Sequence, residues 1–254
     1  MKSTQILPAI QKTLQEFLNP HPIIGKIVVD IVAADGSAFL VGGAVRDLLR
    51  AKSIKDIDIE VHGVSLDRLQ EIIQQHGVVS LVGKSFGVLR LHGLDVDWSL
   101  PRADTAGRKP AVMLDPSMTI AAACKRRDLT INAMALDLTT SVLHDPYNGQ
   151  KDLQDRILRP TDAQLFLEDP LRFFRVMQFI GRFGMHTSSE LDELCRTMDI
   201  SGVSVERIEQ EFVKLLLKSE RPSSGIRWIE RIGRLSDVLP QLAATRAIPQ
   251  NPAW

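Results

Sequence analysis

The chain has 254 residues, enough for one large domain or two modest ones with real cores, and its 44% hydrophobic and 24% charged content is that of an ordinary soluble globular protein. Lys plus Arg equals Asp plus Glu at 31 each, which excludes a protein that grips nucleic acid by bulk positive charge; any RNA contact must come from local patches. Cys124 and Cys195, far apart and the only cysteines, exclude a disulfide framework or a zinc cluster and fit a reducing cytosol, so a cytoplasmic location is expected. Neither a signal peptide nor a membrane-spanning run is expected.

Residues 4–17 carry Ile6, Ile10, Leu14 and Phe17 at helical spacing, ended by Pro20 and Pro22. A second helix is expected over 23–32, then a turn at Asp35-Gly36. Residues 38–41 read as a short buried strand that runs into Gly42-Gly43 and a helix over 44–50. Residues 56–61 alternate acid and aliphatic, the two-residue period of a strand with its acids on one face. A helix over 66–75 follows, then short strands over 78–82, 87–91 and 94–98. Residues 101–110 read as a mobile polar loop. Helix resumes after Pro116, through Ala121-Ala122-Ala123. The turn cluster Asp145-Pro146-Tyr147-Asn148-Gly149 marks a boundary, and the pattern beyond it is helical almost throughout.

The chemistry begins at Asp56 and Asp58. Two carboxylates at i and i+2 on a strand point the same way and suit Mg²⁺, which takes one or two carboxylates plus substrate phosphates. Alone, Asp-x-Asp equally describes a solvent-facing strand edge. Upstream, Val41-Gly42-Gly43-Ala44-Val45-Arg46-Asp47 sits at a strand-to-helix junction, where paired glycines let backbone N–H groups approach a phosphate. Arg46 adds a charge that suits phosphate. Either Asp95 or Asp97, on one face of a later strand, qualifies as a third carboxylate to orient a hydroxyl nucleophile or its metal. In Arg126-Arg127-Asp128-Leu129-Thr130-Ile131-Asn132-Ala133, the arginines suit a triphosphate clamp and Asn132 a ribose hydroxyl; out of context they describe a solvated helix end.

The helix opening at Glu168-Asp169-Pro170 places Asp169 and Arg172 on the side of Phe173, Val176 and Ile180, with Arg175, Gln178 and Arg182 on a more polar side. Asp169 suits a helix cap; with Arg172 it also offers acceptors and donors matching a nucleobase edge. His144-Asp145 lacks companion ligands at helical spacing and reads as turn chemistry.

These segments, in this order, resemble the class II tRNA nucleotidyltransferases (CCA-adding enzymes) and bacterial poly(A) polymerases. Gly42 to Asp58 is similar to their first motif and Arg126 to Ala133 to their second. Asp145 to Leu153 resembles the link from head to neck, and Glu168 to Arg175 the motif that selects the incoming base. Ser204-Val205-Glu206-Arg207-Ile208 resembles the neck helix that follows. The resemblance implies an α+β fold: a polymerase-β-like head, a small mixed sheet with helices, followed by an all-helical neck. It divides the chain into an N-terminal helical extension (1–36), the head (37–148), the neck (149–245) and an extended tail (246–254).

It further implies Asp56 and Asp58 as metal ligands for Mg²⁺, and Asp97 as the third catalytic carboxylate. Gly42, Gly43, Arg46, Arg127, Asn132, Asp169, Arg172 and Arg175 become nucleotide contacts. CTP and ATP are then the substrates and a tRNA 3′ end the acceptor. Poly(A) polymerase activity, a partial CC- or A-adding activity and a non-catalytic nucleotide- or RNA-binding fragment stay open. Against bacterial poly(A) polymerases, Gly83-Lys84-Ser85-Phe86-Gly87 is only a partial echo of their basic, aromatic signature. Gln178 stands where many relatives have arginine. The tail, 248–254, resembles the segment that precedes a phosphohydrolase domain in some relatives, which implies a chain cut where a further domain would start. Residues 207–234 hold seven Lys/Arg against four Asp/Glu, a weak RNA-binding surface or a solvated face.

Overall fold

The computed structural model describes residues 3–6, 8–54, 56–82, 87–104 and 112–248, and its chain divides into two compact units, Met1–Leu153 and Gln154–Trp254. The first unit runs β1 (Ser3–Gln5), α1 (Pro8–Leu18), α2 (Pro22–Ala33), β2 (Ser37–Val41), α3 (Gly43–Leu49), β3 (Ile57–His62), α4 (Leu66–Gln74), β4 (Val79–Val82), β5 (Val88–Leu91) and β6 (Val96–Ser99). It continues through β7 (Arg102–Asp104), β8 (Val112–Leu114), α5 (Ile120–Lys125), β9 (Ala135–Asp137) and β10 (Val142–His144). The boundary falls within α6 (Gly149–Asp155).

Among the described residues, eight strands form one mixed sheet in the order β1-β10-β9-β2-β3-β6-β5-β4. β3 and β6 pair in parallel, and the other neighbours are antiparallel. The alternation in β3 sets its two faces. Ile57, Ile59 and Val61 are buried in the core with Leu40, Leu89 and Trp98, under α2 and α4, while Asp58 and Glu60 take the opposite face. Removing such side chains from water contributes roughly 1.5–3 kcal/mol each, which pins the register: a one-residue slip would bury the acids in the core.

Several expectations are corrected. Ser3–Gln5 is a strand, not the start of the first helix; it pairs with β10, about 140 residues away, a partner that local periodicity does not reveal. Residues 1–36 are not an appendage: Leu14, Ile24, Ile27 and Ile31 lie in the same core as the sheet. β9 and β10 fall in a stretch where no strand was expected, because three-residue strands are too short to display a period. Residues 102–104 of the expected loop form β7, paired with β8. Residues 105–110 of that loop, 83–86 and 249–254 lie outside the described residues. Both cysteines are buried and free, and no helix among the described residues is long and apolar enough to cross a membrane.

The second unit holds β11 (Ile157–Leu158), α7 (Ala163–Leu167), α8 (Leu171–Phe183), β12 (His186–Thr187), α9 (Ser189–Thr197), α10 (Val205–Lys218), α11 (Pro222–Arg231), α12 (Leu235–Val238) and α13 (Pro240–Ala244). It is helical except for the short parallel pair β11–β12, a departure from an all-helical neck. α8 packs against α10 and α11. The approach needs Gly225, where a Cβ would stand 2.5 Å from the Met177 carbonyl oxygen.

Asp192 ties this unit together. It accepts hydrogen bonds from Thr187 Oγ1 (2.6 Å), Trp228 Nε1 (2.8 Å) and Arg231 Nη1 (2.7 Å), joining β12, α9 and α11. Burial raises its pKa, but the bonds from Arg231, Thr187 and Trp228 outweigh that and leave it below the ordinary value. Asp192→Ala strands the indole N–H and the arginine. It is expected to cost about 2–4 kcal/mol in chemical denaturation, with Asp192→Asn costing less because it keeps an acceptor.

Candidate active site

Parallel pairing of β3 with β6 sets Asp58 directly opposite Asp97 on one face of the sheet. Asp56 is exposed just before β3, and Asp95 is exposed just before β6, so the register brings Asp97 rather than Asp95 beside Asp58. Burial raises the Asp58 pKa above the ordinary carboxylate range. Arg127 works against that rise, while the charges of Asp97, Asp56 and Glu60 add to it. Four acids therefore lie within electrostatic reach of one another, with Arg127 acting against the crowding at Asp58. Asp97 is held by Arg90 through Nε (2.7 Å) and Nη2 (2.5 Å), both on Oδ1. Among the described residues, no group of three or more His, Cys, Asp or Glu is arranged to hold a metal by itself.

The glycine turn lies against this face. Gly42 has φ +69°, open to glycine but strained for other residues, and a Cβ there would stand 2.8 Å from Arg127 Nη1 and 3.7 Å from Asp58 Oδ2. So Gly42, Arg127 and Asp58 share one small volume. Arg127 Nη2 forms an ion pair with Glu60 Oε2 at 3.6 Å, and Arg126 Nη2 donates to the same oxygen at 3.2 Å.

Arg46 and Asn132 are placed together and buried. Arg46 is 6% exposed and Asn132 5%. Arg46 donates to Asp47 through Nε (3.0 Å) and Nη2 (2.8 Å), and through Nη1 to Asn132 Oδ1 (2.7 Å). Asn132 Nδ2 donates to Asp128 Oδ1 (3.0 Å). The guanidinium folds back under the turn, within 3.3 Å of a Cβ built at Gly43. Both side chains therefore brace the turn and the segment after Arg127. Asp145 accepts from the backbone N–H of Gly149 (2.6 Å) and Gln150 (3.0 Å), which is the turn chemistry expected of His144-Asp145.

In the second unit, Asp169 Oδ1 accepts from the Leu171 N–H at the start of α8 (3.2 Å) and pairs with Arg207 Nη2 (3.5 Å). Arg172 Nη1 donates to the Leu165 carbonyl (3.0 Å), and the Arg175 guanidinium lies 5.3 Å from the Phe179 ring centre. Gln178 is buried, not on a polar side as expected, and accepts from Arg182 Nη1 (2.9 Å). Arg175 and Arg182 are half-buried on the more open side of α8, as expected, so Gln178 alone departs from it. Of the seven cations expected as a weak RNA surface, Arg207, Lys214, Arg231 and Arg234 pair with carboxylates inside the unit.

Glu60, Arg90, Asp47 and Asp128 complete these clusters, and the sequence reading gave none of them a role. Glu60 left a signal as the third acid of the alternating strand, and Asp47 and Asp128 stand inside the two motif segments, whereas Arg90 left none.

Residues 38–159 match the family described as the Poly A polymerase head domain. A multifunctional CCA protein of Vibrio vulnificus is 35% identical over 227 residues, covering 85% of this chain and 54% of that protein. The structure of the Thermotoga maritima CCA-adding enzyme complexed with tRNA_CCA superposes with a TM-score of 0.74 at 25% identity, over 100% of this chain and 58% of that one. A CCA-adding enzyme in complex with ATP gives 0.74 at 26% identity, over 100% and 59%. The chain thus spans about half the length of the curated relatives it matches.

Two outcomes follow from the geometry. Gly42→Ala is expected to cost about 1–3 kcal/mol in chemical denaturation through its positive φ, and a structure of the variant to show Arg127 displaced. Glu60 is the source of a pH effect. Burial raises its pKa, but the His62 hydrogen bond and the charges of Arg127 and Arg126 hold it at about 2, against an ordinary 4.5. A depressed carboxylate stabilises the fold above the unfolded value and loses that contribution as pH falls through the folded one. Unfolding free energies should therefore drop by roughly 3 kcal/mol between about pH 5 and 2, a limb that is shallower in Glu60→Gln.

Proposed function

We propose that this chain, similar over residues 38–159 to the Poly A polymerase head domain and over 85% of its length to multifunctional CCA proteins, is a Mg²⁺-dependent, template-independent nucleotidyltransferase of the CCA-adding enzyme and bacterial poly(A) polymerase family that adds C and A nucleotides to tRNA 3′ ends. CTP and ATP are its substrates and the tRNA 3′ end its acceptor, in the cytoplasm. The observation that carries the reading is the parallel β3–β6 register, with Asp58 against Asp97 beside the Gly42 turn and Arg127 pressed into that turn.

The chemistry asks for what those groups offer. The RNA 3′-hydroxyl attacks the α-phosphorus of the nucleotide, a P–O bond forms, and the bond to pyrophosphate breaks. Positioning and charge stabilisation dominate such a transfer. The residues fit a hard cation: carboxylates crowd together, and Mg²⁺ completes its shell with substrate phosphates rather than a full protein cage. Asp56 and Asp58 would hold Mg²⁺, which supplies charge neutralisation at the reacting phosphate and activation of the hydroxyl. Asp97, aimed by Arg90, orients the attacking hydroxyl. Gly42 and Gly43 let the backbone approach the triphosphate, and Arg127 offers it a guanidinium.

Arg46 and Asn132 serve this site by bracing the turn. Asp169, just before α8, and Arg172 and Arg175 on α8 read the base edge; the polar contacts of Asp169 and Arg172 give them fixed orientations suited to that task.

Labelled CTP and ATP, offered separately and together to tRNA lacking its 3′ CCA, test the reading. The expected outcome is ordered addition of C, C and A, lost by at least about 10³-fold in Asp56→Ala/Asp58→Ala. Tailing with ATP alone would replace CCA addition by poly(A) or A-adding activity. Incorporation of C without A would reduce it to CC addition, and nucleotide binding with no incorporation would make the chain a binding module.

A further inference from the structure

Glu60 has no place in the reaction above, yet it is among the most deeply buried charged groups of the first unit, at 2% exposure. A buried carboxylate is costly unless paired, and this one has three cationic or donor groups around it. Arg126 Nη2 lies 3.2 Å from Oε2 and Arg127 Nη2 3.6 Å from the same atom; His62 Nε2 lies 3.2 Å from Oε1. His62 is fixed in turn, its Nδ1 3.0 Å from the Met118 carbonyl and its ring edge-on to Phe39. Glu60 therefore sits on a braced platform with its oxygens already engaged, and is not a spare metal ligand.

Arg127 is the group this platform controls. One of its terminal nitrogens, Nη2, faces Glu60, while the other, Nη1, fills the space a side chain would take at Gly42. A guanidinium is a rigid planar fork, so anchoring one nitrogen aims the other. Asp58, two residues before Glu60 on the same strand face, is a rival carboxylate within the range of Arg127's charge.

We propose that Glu60 is a positioning residue, which holds the Arg127 guanidinium against the Gly42 turn, ready for a nucleotide polyphosphate, and keeps it from collapsing onto Asp58. The role of the turn as a polyphosphate site rests on the nucleotidyltransferase reading; the anchoring of Arg127 does not.

The test uses the 254-residue chain as wild type, Glu60→Gln and Glu60→Ala, with and without Arg127→Ala. Glu60→Gln keeps the shape and an acceptor, so it reports even where Glu60→Ala fails to fold. Exchange of the Arg127 Nε–H with solvent, followed by NMR without any ligand, is expected to quicken about threefold in Glu60→Gln and about tenfold in Glu60→Ala. Calorimetric binding of Mg²⁺-ATP is expected to weaken about tenfold in Glu60→Ala but less than about twofold when that change is made on Arg127→Ala, because a coupling vanishes with its partner. Unchanged exchange, or an equal binding loss in both backgrounds, would overturn the proposal. Glu60-dependent exchange in a wild-type chain that binds no Mg²⁺-ATP would uphold the anchoring and sink the nucleotidyltransferase reading instead.

Discussion

Like charges repel most where water is scarce, and the first unit is organised around containing that repulsion. Asp58 and Glu60 lie on one face of β3, Asp97 is brought opposite Asp58 by β6, and Asp56 stands at the strand's entrance. Burial of the aliphatic face forces this arrangement: with Ile57, Ile59 and Val61 in the core, the alternate positions have nowhere else to point. Each acid is then dealt with differently. Glu60 is saturated by His62 and two arginines, and Asp97 is engaged through one oxygen by Arg90. Asp58 is left with a pKa above the ordinary carboxylate range, raised first by burial and further by its acidic neighbours against the pull of Arg127.

The second buried network, Arg46 with Asp47, Asn132 and Asp128, shows how closely support and function intermix here. Its residues belong to the same two motifs as Gly42 and Arg127, yet they are turned inward and spend their hydrogen bonds on one another. They hold the backbone of the turn, and a glycine turn keeps its N–H groups aimed in one direction only while its path is rigid. In the second unit, Asp192 and Arg234 do comparable work: Asp192 gathers Trp228 and Arg231, and Arg234 Nη1 donates to the carbonyls of Cys195 and Met198 at the end of α9.

Much of this was legible in the chain itself where a strong period or a special residue spoke. β3 was visible from its alternation, α4 from its helical spacing, and the turn at Gly42-Gly43 from its paired glycines. What escaped was set by partners distant in sequence. Ser3–Gln5 is a strand only because β10 offers an edge, and β9 is a strand only because β2 stands beside it. Gln178 was placed with Arg175 and Arg182 because a helical wheel knows one helix, whereas the packing of α8 against α10 and α11 buries that position.

By itself the sequence determined which residue types were available and at what local spacing: paired glycines before a helix, acids at alternate strand positions, adjacent arginines, an Asp-Pro helix start. These are properties of a few consecutive residues, governed by backbone sterics and a two- or 3.6-residue period, and they pointed to a candidate metal and phosphate site; the nucleotidyltransferase head was implied by the resemblance that their order carries. Only the tertiary structure decided that Asp97 on β6, and not Asp95 just before it, meets Asp58, that Arg46 and Asn132 face each other rather than solvent, and that Glu60 engages Arg127. Those choices depend on strand order, on the parallel register of β3 and β6, and on burial. Each is fixed by packing between segments tens of residues apart, which no local pattern encodes.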